Sequence, residues 1–119
     1  MYDNRPYDRE DERLPWIDLG ELRKTVLALL DEDALEVPWQ HLMDERHRVS
    51  HGEVRLALED GTLDLHEAVD GRYSALHMVP GAPLAIVVFF ELWTRAEARY
   101  IRVLTAYHAP AQRKRLRRR

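Results

Sequence analysis

The sequence predicts an α+β fold in which three N-terminal helices pack on one face of a four-stranded antiparallel sheet. The helices are predicted by capping boxes that begin at Asp18 and Ser50, each followed by apolar residues at helical spacing. The sheet is predicted because the apolar period becomes strand-like after Gly61, and because Asp70-Gly71 is a strong hairpin signal. Helices followed by a meander of strands are typical of the α+β class.

Each predicted helix has its own start signal. Asp18 and Glu21 form the capping box of the first helix, and Ser50 and Glu53 form that of the third. Pro38 suits the first turn of the helix between them. We expect the three helices at residues 19–30, 39–48 and 51–60.

Four strands are expected after the third helix, at residues 63–65, 73–79, 84–93 and 99–108. The third of them is apolar on both faces, as in a central strand that is covered on both sides. In the last strand, simple alternation places Arg102 and His108 on one face and Tyr107 on the other. His77, in the second strand, is expected to be a half-buried residue of the sheet.

One folded domain, residues 16–110, is predicted between a disordered or loosely held polar arm at 1–15 and a basic tail at 111–119. The net charge of -3 combines -6 in residues 1–40, -5 in residues 41–94 and +8 in residues 95–119. The tail can attract phosphates, or it is a solvated end that pairs with the acidic N-terminal region. Its candidate nucleic-acid-binding residues are Arg113, Lys114, Arg115, Arg117, Arg118 and Arg119.

Several kinds of site have no support in the sequence. The chain has no cysteine, so a disulfide or a thiolate metal site is excluded. It also lacks HExxH spacing, a GxSxG nucleophile elbow and a glycine-rich phosphate loop. We therefore expect no metal and no cofactor. Because no apolar leader or membrane-length apolar run is present, we expect a soluble, cytoplasmic protein without membrane contact.

The segment 41–110 carries a helix of the type H…R, a helix of the type S..EV..AL..G and a last strand of the type T-x-Y with a following proline. The residues of this pattern are His41, Arg46, Ser50, Glu53, Val54, Ala57, Leu58, Gly61, Thr105, Tyr107 and Pro110. With the basic ending IRVLTAYHAPAQRKRLRRR, the segment resembles small bacterial domains of unknown function related to the RelE and BrnT toxins. Residues 1–38 have no counterpart in this pattern.

The resemblance implies a RelE-like α+β fold and, in some relatives, metal-independent ribonuclease activity within toxin–antitoxin systems. Such cleavage needs a base for the ribose 2′-OH, an acid for the leaving oxygen and a cation on the phosphate. The candidate catalytic residues are His41, Arg46, Arg102, Tyr107 and His108. Each also has a structural alternative, since a helix-surface histidine, a surface ion pair or a core-edge tyrosine would give the same residues.

Two classes of function follow. One is a ribonuclease-type toxin or an RNA-binding relative, whose partners would be RNA and a cognate antitoxin. The other is a non-catalytic interaction module that uses the acidic arm and the first helix to bind a protein partner or to form a homodimer. The net negative charge argues against a strong general RNA binder, because such proteins are usually basic. The sequence does not decide whether the protein is an enzyme.

Overall fold

The computed structural model of the protein describes residues 11–42, 49–78, 80–81 and 83–110. Within them, six strands form one sheet, two helices have ten or more residues, and a single helical turn lies between those helices. The elements are β1 (Asp11–Arg13), α1 (Leu19–Asp31), β2 (Leu35–Glu36), α2 (Trp39–Leu42), α3 (His51–Asp60), β3 (Thr62–Leu65), β4 (Arg72–Met78), β5 (Leu84–Arg95) and β6 (Ala98–Pro110). In this described part, no helix is long and apolar enough to cross a membrane.

The sheet has the order β2-β6-β5-β4-β3 and is mixed, because β2 runs parallel to β6 while the other strand pairs are antiparallel. β1 pairs with residues 93–95 of β5, beyond the point where β4 stops pairing at Glu91. It therefore occupies the part of the β5 edge that β4 leaves free.

The core lies between one face of the sheet and the helices α1 and α3. Both helices begin where the sequence predicts. The Asp18 carboxylate accepts hydrogen bonds from the N–H groups of Gly20 and Glu21, and the capping box of Ser50 and Glu53 is complete. Apolar side chains of α1, α3 and the sheet then bury one another, which is the main source of stability in such a layer. They include Leu22, Val26, Leu29, Val54, Leu58, Tyr73, Val88, Phe90 and Ile101.

Two arginines connect α1 and α3 in a reciprocal way. Arg23 of α1 donates hydrogen bonds to the carbonyls of Leu58, Glu59 and Gly61, at the C-terminal end of α3. Arg55 of α3 donates to the Leu30 carbonyl at the C-terminal end of α1, over 2.9 Å. The last carbonyls of a helix have no partner within the helix, and a cation there also complements the helix dipole. Each helix thus caps the other.

The hairpin between β5 and β6 turns through only two residues. Ala96 and Glu97 both have positive φ, 51° and 71°, although neither is glycine. Two consecutive residues of this kind form the turn that matches the twist of a tight hairpin. The turn places Arg95 opposite Ala98, which sets the register of the charged side chains described below.

The chain is α+β, but the predicted arrangement of three helices on a four-stranded antiparallel sheet is wrong. The structure has a six-stranded mixed sheet, since β1 and β2 were not expected. Both are short edge strands that lack apolar alternation, and β1 lies within the segment predicted to be a polar arm. Of the helix predicted at 39–48, the described part is the turn Trp39–Leu42, and residues 43–48 lie outside the described residues.

The face assignment along the last strand is also wrong, because β6 contains a bulge. Phe89 pairs with Thr105 and Phe90 pairs with Val103, so Leu104 is an extra residue in β6. An extra residue exchanges the two faces of the strand beyond it. Arg102 and Tyr107 therefore share the face away from the helices, whereas His108 faces the helices.

We predict that Arg23→Met destabilises the fold by about 1–3 kcal/mol, because it leaves carbonyls at the end of α3 without a donor. Methionine keeps the apolar length of the side chain, so the loss reports mainly on the hydrogen bonds. The matched control is Lys24→Met, because the exposed amino group of Lys24 makes only a long ion pair, 3.9 Å, with the Glu21 carboxylate. Urea unfolding of both variants tests this, and equal midpoints would contradict the capping role.

Candidate functional site

The sheet face that points away from the helices, called the open face here, carries most of the charged groups of the sheet. Along β5 it presents Glu91, Trp93 and Arg95, and along β6 it presents Tyr100 and Arg102, which pair across the two strands. β1 and β2 each add an acid. This alternation of charged and aromatic side chains places two adjoining polar clusters on one surface.

The first cluster surrounds Glu91, whose side chain is only 2% exposed. Arg13 Nη1 donates to Glu91 Oε2 over 3.2 Å, and Arg72 Nε donates to the same oxygen over 2.9 Å. Trp93 Nε1 donates to Oε1 over 2.8 Å. Burial opposes ionisation of Glu91, but the hydrogen bonds from Trp93 and Arg72 outweigh it and hold the pKa of Glu91 below its usual value. Glu91 therefore joins β1, β4 and β5 as an ionised carboxylate.

The second cluster, the Arg95–Arg102 cluster, consists of Asp11, Glu36, Arg95, Tyr100 and Arg102. Arg95 donates from Nε to Asp11 Oδ1 and from Nη2 to Asp11 Oδ2, both over 2.9 Å. The Tyr100 hydroxyl and Arg102 Nη2 reach the same Oδ2 over 3.2 and 3.4 Å. Arg95 Nη1 lies 2.7 Å from Glu36 Oε2, on its other side. Two cations and two acids thus share one network.

Aromatic rings support the guanidinium groups of this cluster. The Arg102 guanidinium lies 3.9 Å from the centre of the Trp93 ring, and that of Arg95 lies 4.8 Å from the Tyr100 ring. Arg102 Nη2 also donates to the Tyr100 hydroxyl over 2.6 Å. Stacking of this kind is a cation–π contact, which holds the flat guanidinium in a fixed plane.

The pKa values of the cluster follow from these contacts. The hydrogen bond from Arg95 is the main cause that lowers the pKa of Asp11, with Tyr100 and Arg102 acting in the same direction. Hydrogen bonds to Asp11 and then to Glu36 raise the pKa of Arg95. Burial raises the pKa of Tyr100, so its hydroxyl keeps its hydrogen. Asp11 is thus an ionised carboxylate held by two cations and a neutral phenol.

On the helix side, His108 and Glu53 form an isolated pair called the His108 site. His108 Nε2 lies 2.9 Å from Glu53 Oε2, and their side chains are 26% and 36% exposed. Partial burial opposes ionisation of Glu53, but bonds from the Ser50 backbone N–H and from His108 leave its pKa below the usual value. Because an ionised carboxylate only accepts, Nε2 carries the hydrogen and Nδ1 is the basic nitrogen of the neutral ring.

A second histidine lies in the same row of the sheet. His77 of β4 pairs with Ile86 of β5, and Ile86 pairs with His108 of β6. Neighbouring strands are about 4.8 Å apart, so the backbones of the two histidines are separated by roughly 10 Å. Sequence reasoning did not connect them, because the row depends on the strand register and on the bulge at Leu104.

The predicted catalytic residues do not form one group among the described residues. Arg102 belongs to the Arg95–Arg102 cluster, and Tyr107 lies near Phe89 on the same open face, with ring centres 6.2 Å apart. His108 is on the opposite face. The backbone of His41 lies in α2, while Arg46 and the basic residues 113–119 lie outside the described residues.

Within the described ranges, no group of three or more histidine, aspartate or glutamate side chains is arranged to hold a metal ion. Comparison with protein-family models, with curated proteins and with solved structures finds no match to this chain. The relation to RelE and BrnT toxins, and the metal independence that it implies, therefore stay predictions.

We predict that Glu91→Gln lowers the free energy of unfolding by about 1.5–3 kcal/mol at pH 7, the usual range for hydrogen bonds to a charged group. The folded pKa of Glu91 lies below its unfolded value of about 4.3, so its contribution is complete above that pH. It is lost as the pH falls through the folded pKa. The difference between wild type and Glu91→Gln should then shrink in urea titrations below about pH 4.

The matched control for this prediction is Glu67→Gln, since Glu67 is exposed in the turn before β4. It removes the same charge without removing a buried carboxylate. A loss as large as that of Glu91→Gln, or a Glu91→Gln loss that does not depend on pH, would contradict the role of Glu91.

Proposed function

We propose that the protein is a cytoplasmic, metal-independent ribonuclease of the toxin type, and that the His108 site carries the proton transfer. The observation that supports this is the contact between His108 and Glu53. A carboxylate that binds one imidazole nitrogen fixes the orientation of the ring and leaves the other nitrogen as the base. Hydrolases position a histidine base in this way. Both side chains are partly exposed, so a substrate can reach them.

In the proposed reaction His108 Nδ1 takes the proton of a ribose 2′-OH. The 2′-oxygen attacks the adjacent phosphorus, and the bond to the 5′-oxygen of the next nucleotide breaks. The products are a 2′,3′-cyclic phosphate and a 5′-hydroxyl, whose oxygen needs one proton from an acid. We assign this second proton transfer to His77, which lies in the same row of the sheet. His41, a candidate catalytic residue from the sequence, is the alternative acid.

A cation must also stabilise the charge on the phosphorane. Arg102 is not suited to this step, because it lies on the face opposite His108 and is held by Asp11 and Tyr100. We assign the step to Arg46, the basic residue of the H…R pattern.

The second candidate is protein binding without catalysis, through the acidic arm and α1. The observation in its favour is that Leu19 and Leu27 are exposed on α1. Single exposed leucines are common on monomeric proteins, so this supports a partner surface less strongly than the His108 pair supports chemistry. An antitoxin or a second copy of the chain would be the partner.

We predict that His108→Ala lowers the rate of RNA cleavage by about 10²–10⁴, the usual contribution of one acid–base group. Glu53→Gln should lower the rate less than His108→Ala, because the imidazole remains and only the carboxylate that fixes it is lost. Glutamine still completes the capping box at Ser50, so α3 should keep its start. The measurement is the appearance of 2′,3′-cyclic phosphate ends on a labelled RNA, with and without EDTA, which should leave the rate unchanged.

The matched control is His66→Ala, because His66 packs against Phe89 on the open face, with ring centres 5.7 Å apart. Circular dichroism of every variant excludes loss of folding as the cause. If purified protein does not cleave RNA, or if His108→Ala cleaves as fast as wild type, the enzymatic proposal fails. Protein binding through α1 then becomes the better account.

A separate prediction concerns the basic residues 113–119. Removing them should weaken RNA binding and reduce the slope of log affinity against log salt, because each phosphate contact releases counterions. Binding to a fluorescent RNA at several salt concentrations measures this slope. Equal slopes for the full and the shortened chain would identify the tail as a solvated end.

A further inference from the structure

The Asp11 carboxylate is held in the way that proteins hold a phosphate group. Arg95 approaches it with two parallel N–H donors, Nε and Nη2, each 2.9 Å from a different oxygen. The Tyr100 hydroxyl and Arg102 Nη2 add two further donors at 3.2 and 3.4 Å. Bidentate arginine contacts suit planar carboxylates and tetrahedral phosphates alike.

The donors that surround Asp11 are fixed by groups other than Asp11. Glu36 contacts the far side of Arg95 at 2.7 Å, and Arg102 stacks on Trp93 and donates to Tyr100. They would therefore keep their arrangement if the carboxylate left. Without Asp11, two guanidinium groups would face only one acid, so the local charge would change from neutral to positive.

The cluster is also accessible from solvent, although Asp11 itself is nearly covered. The side chains of Arg95 and Arg102 are 41% and 30% exposed, while that of Asp11 is 8% exposed. A cleft of about 320 Å³ reaches Arg95 and Tyr100, and a neighbouring cleft of about 280 Å³ reaches Arg102. Both clefts are lined by Glu36, so a ligand can approach from either side of it.

β1 pairs over only three residues, with the last three of β5, and its contact with Glu91 is made by Arg13, the residue at the end away from Asp11. From Leu14 onward the chain is anchored, because the Leu14 N–H donates to the Leu92 carbonyl and the Trp16 indole donates to the Arg72 carbonyl. Short edge strands open more readily than buried elements. Asp11 can therefore leave while residues after Leu14 stay in place.

We propose that Arg95, Tyr100 and Arg102 form a phosphate-binding site that the Asp11 carboxylate occupies in this structure, so that β1 acts as an internal competitor. The site lies on the face opposite His108 and does not depend on RNA cleavage. Its ligand is a phosphate group, either as a free ion or within an RNA backbone. Binding of that group displaces the Asp11 carboxylate from the cluster.

The test is Asp11→Asn, which keeps the size of the side chain and removes its charge. It should bind phosphate about 5- to 150-fold more tightly than wild type, the usual range for coupled equilibria. The matched control is Glu12→Gln, which removes the same charge from the neighbouring position of β1, where alternation directs the side chain to the other face of the strand. Glu12→Gln should bind as wild type does.

Two probes distinguish the sources of the phosphate: inorganic phosphate, and a short RNA without terminal phosphates, at constant ionic strength. Calorimetry gives the affinity, and the NMR signal of the Trp93 indole N–H reports binding beside Arg102. Tighter binding of either probe by Asp11→Asn, but not by Glu12→Gln, supports the site and identifies its ligand. Equal affinities of the two variants for both probes would overturn it.

The arginines are tested within the Asp11→Asn background, in Asp11→Asn/Arg102→Lys and Asp11→Asn/Arg95→Gln. Lysine keeps the charge of Arg102 but not its fork of donors. This conservative variant still tests the site if Asp11→Asn/Arg95→Gln fails to fold. Both changes should remove most of the gain in affinity. If the gain persists in either folded double variant, phosphate binds elsewhere and the proposal is wrong.

Discussion

The ionised carboxylate of Glu91 is the interaction on which the open face depends. It is 2% exposed, and it is compensated by Arg13 of β1, Arg72 of β4 and the Trp93 indole within its own strand. A buried charge is tolerated only when its partners are held in place, so Glu91 fixes three elements at once. Trp93 then supports Arg102, and the fixed position of Arg102 makes the second cluster possible.

The sequence was sufficient for the elements whose signals are local. α3 begins and ends at the predicted residues, because the Ser50–Glu53 capping box and the apolar face lie within one segment. It was not sufficient for β1 and β2, which are stabilised by ion pairs and pairing with distant strands rather than by an apolar period. Nor did it reveal the bulge, since Leu104 lies between Val103 and Thr105, two residues typical of strands, with no glycine to mark the position.

The same distinction separates the parts of the candidate sites. His108 could be selected from its place near the end of a strand, and Glu53 was visible only as a helix cap. Their contact requires α3 to lie on the face to which the bulge turns His108. The Arg95–Arg102 cluster could not be assembled from the sequence at all, because Asp11 and Glu36 reach it through the two strands that have no pattern of their own.

The position of β1 has a consequence for the order of folding. Asp11 and Arg95 are separated by 84 positions in the chain, whereas β5 and β6 are joined by a two-residue turn. Closing a long loop costs more entropy than closing a short one, so the local hairpin should form early and β1 should dock late. During synthesis, β1 must wait for β5 to emerge. Between the formation of the β5–β6 hairpin and the docking of β1, the cationic side of the hairpin faces solvent without its internal carboxylate.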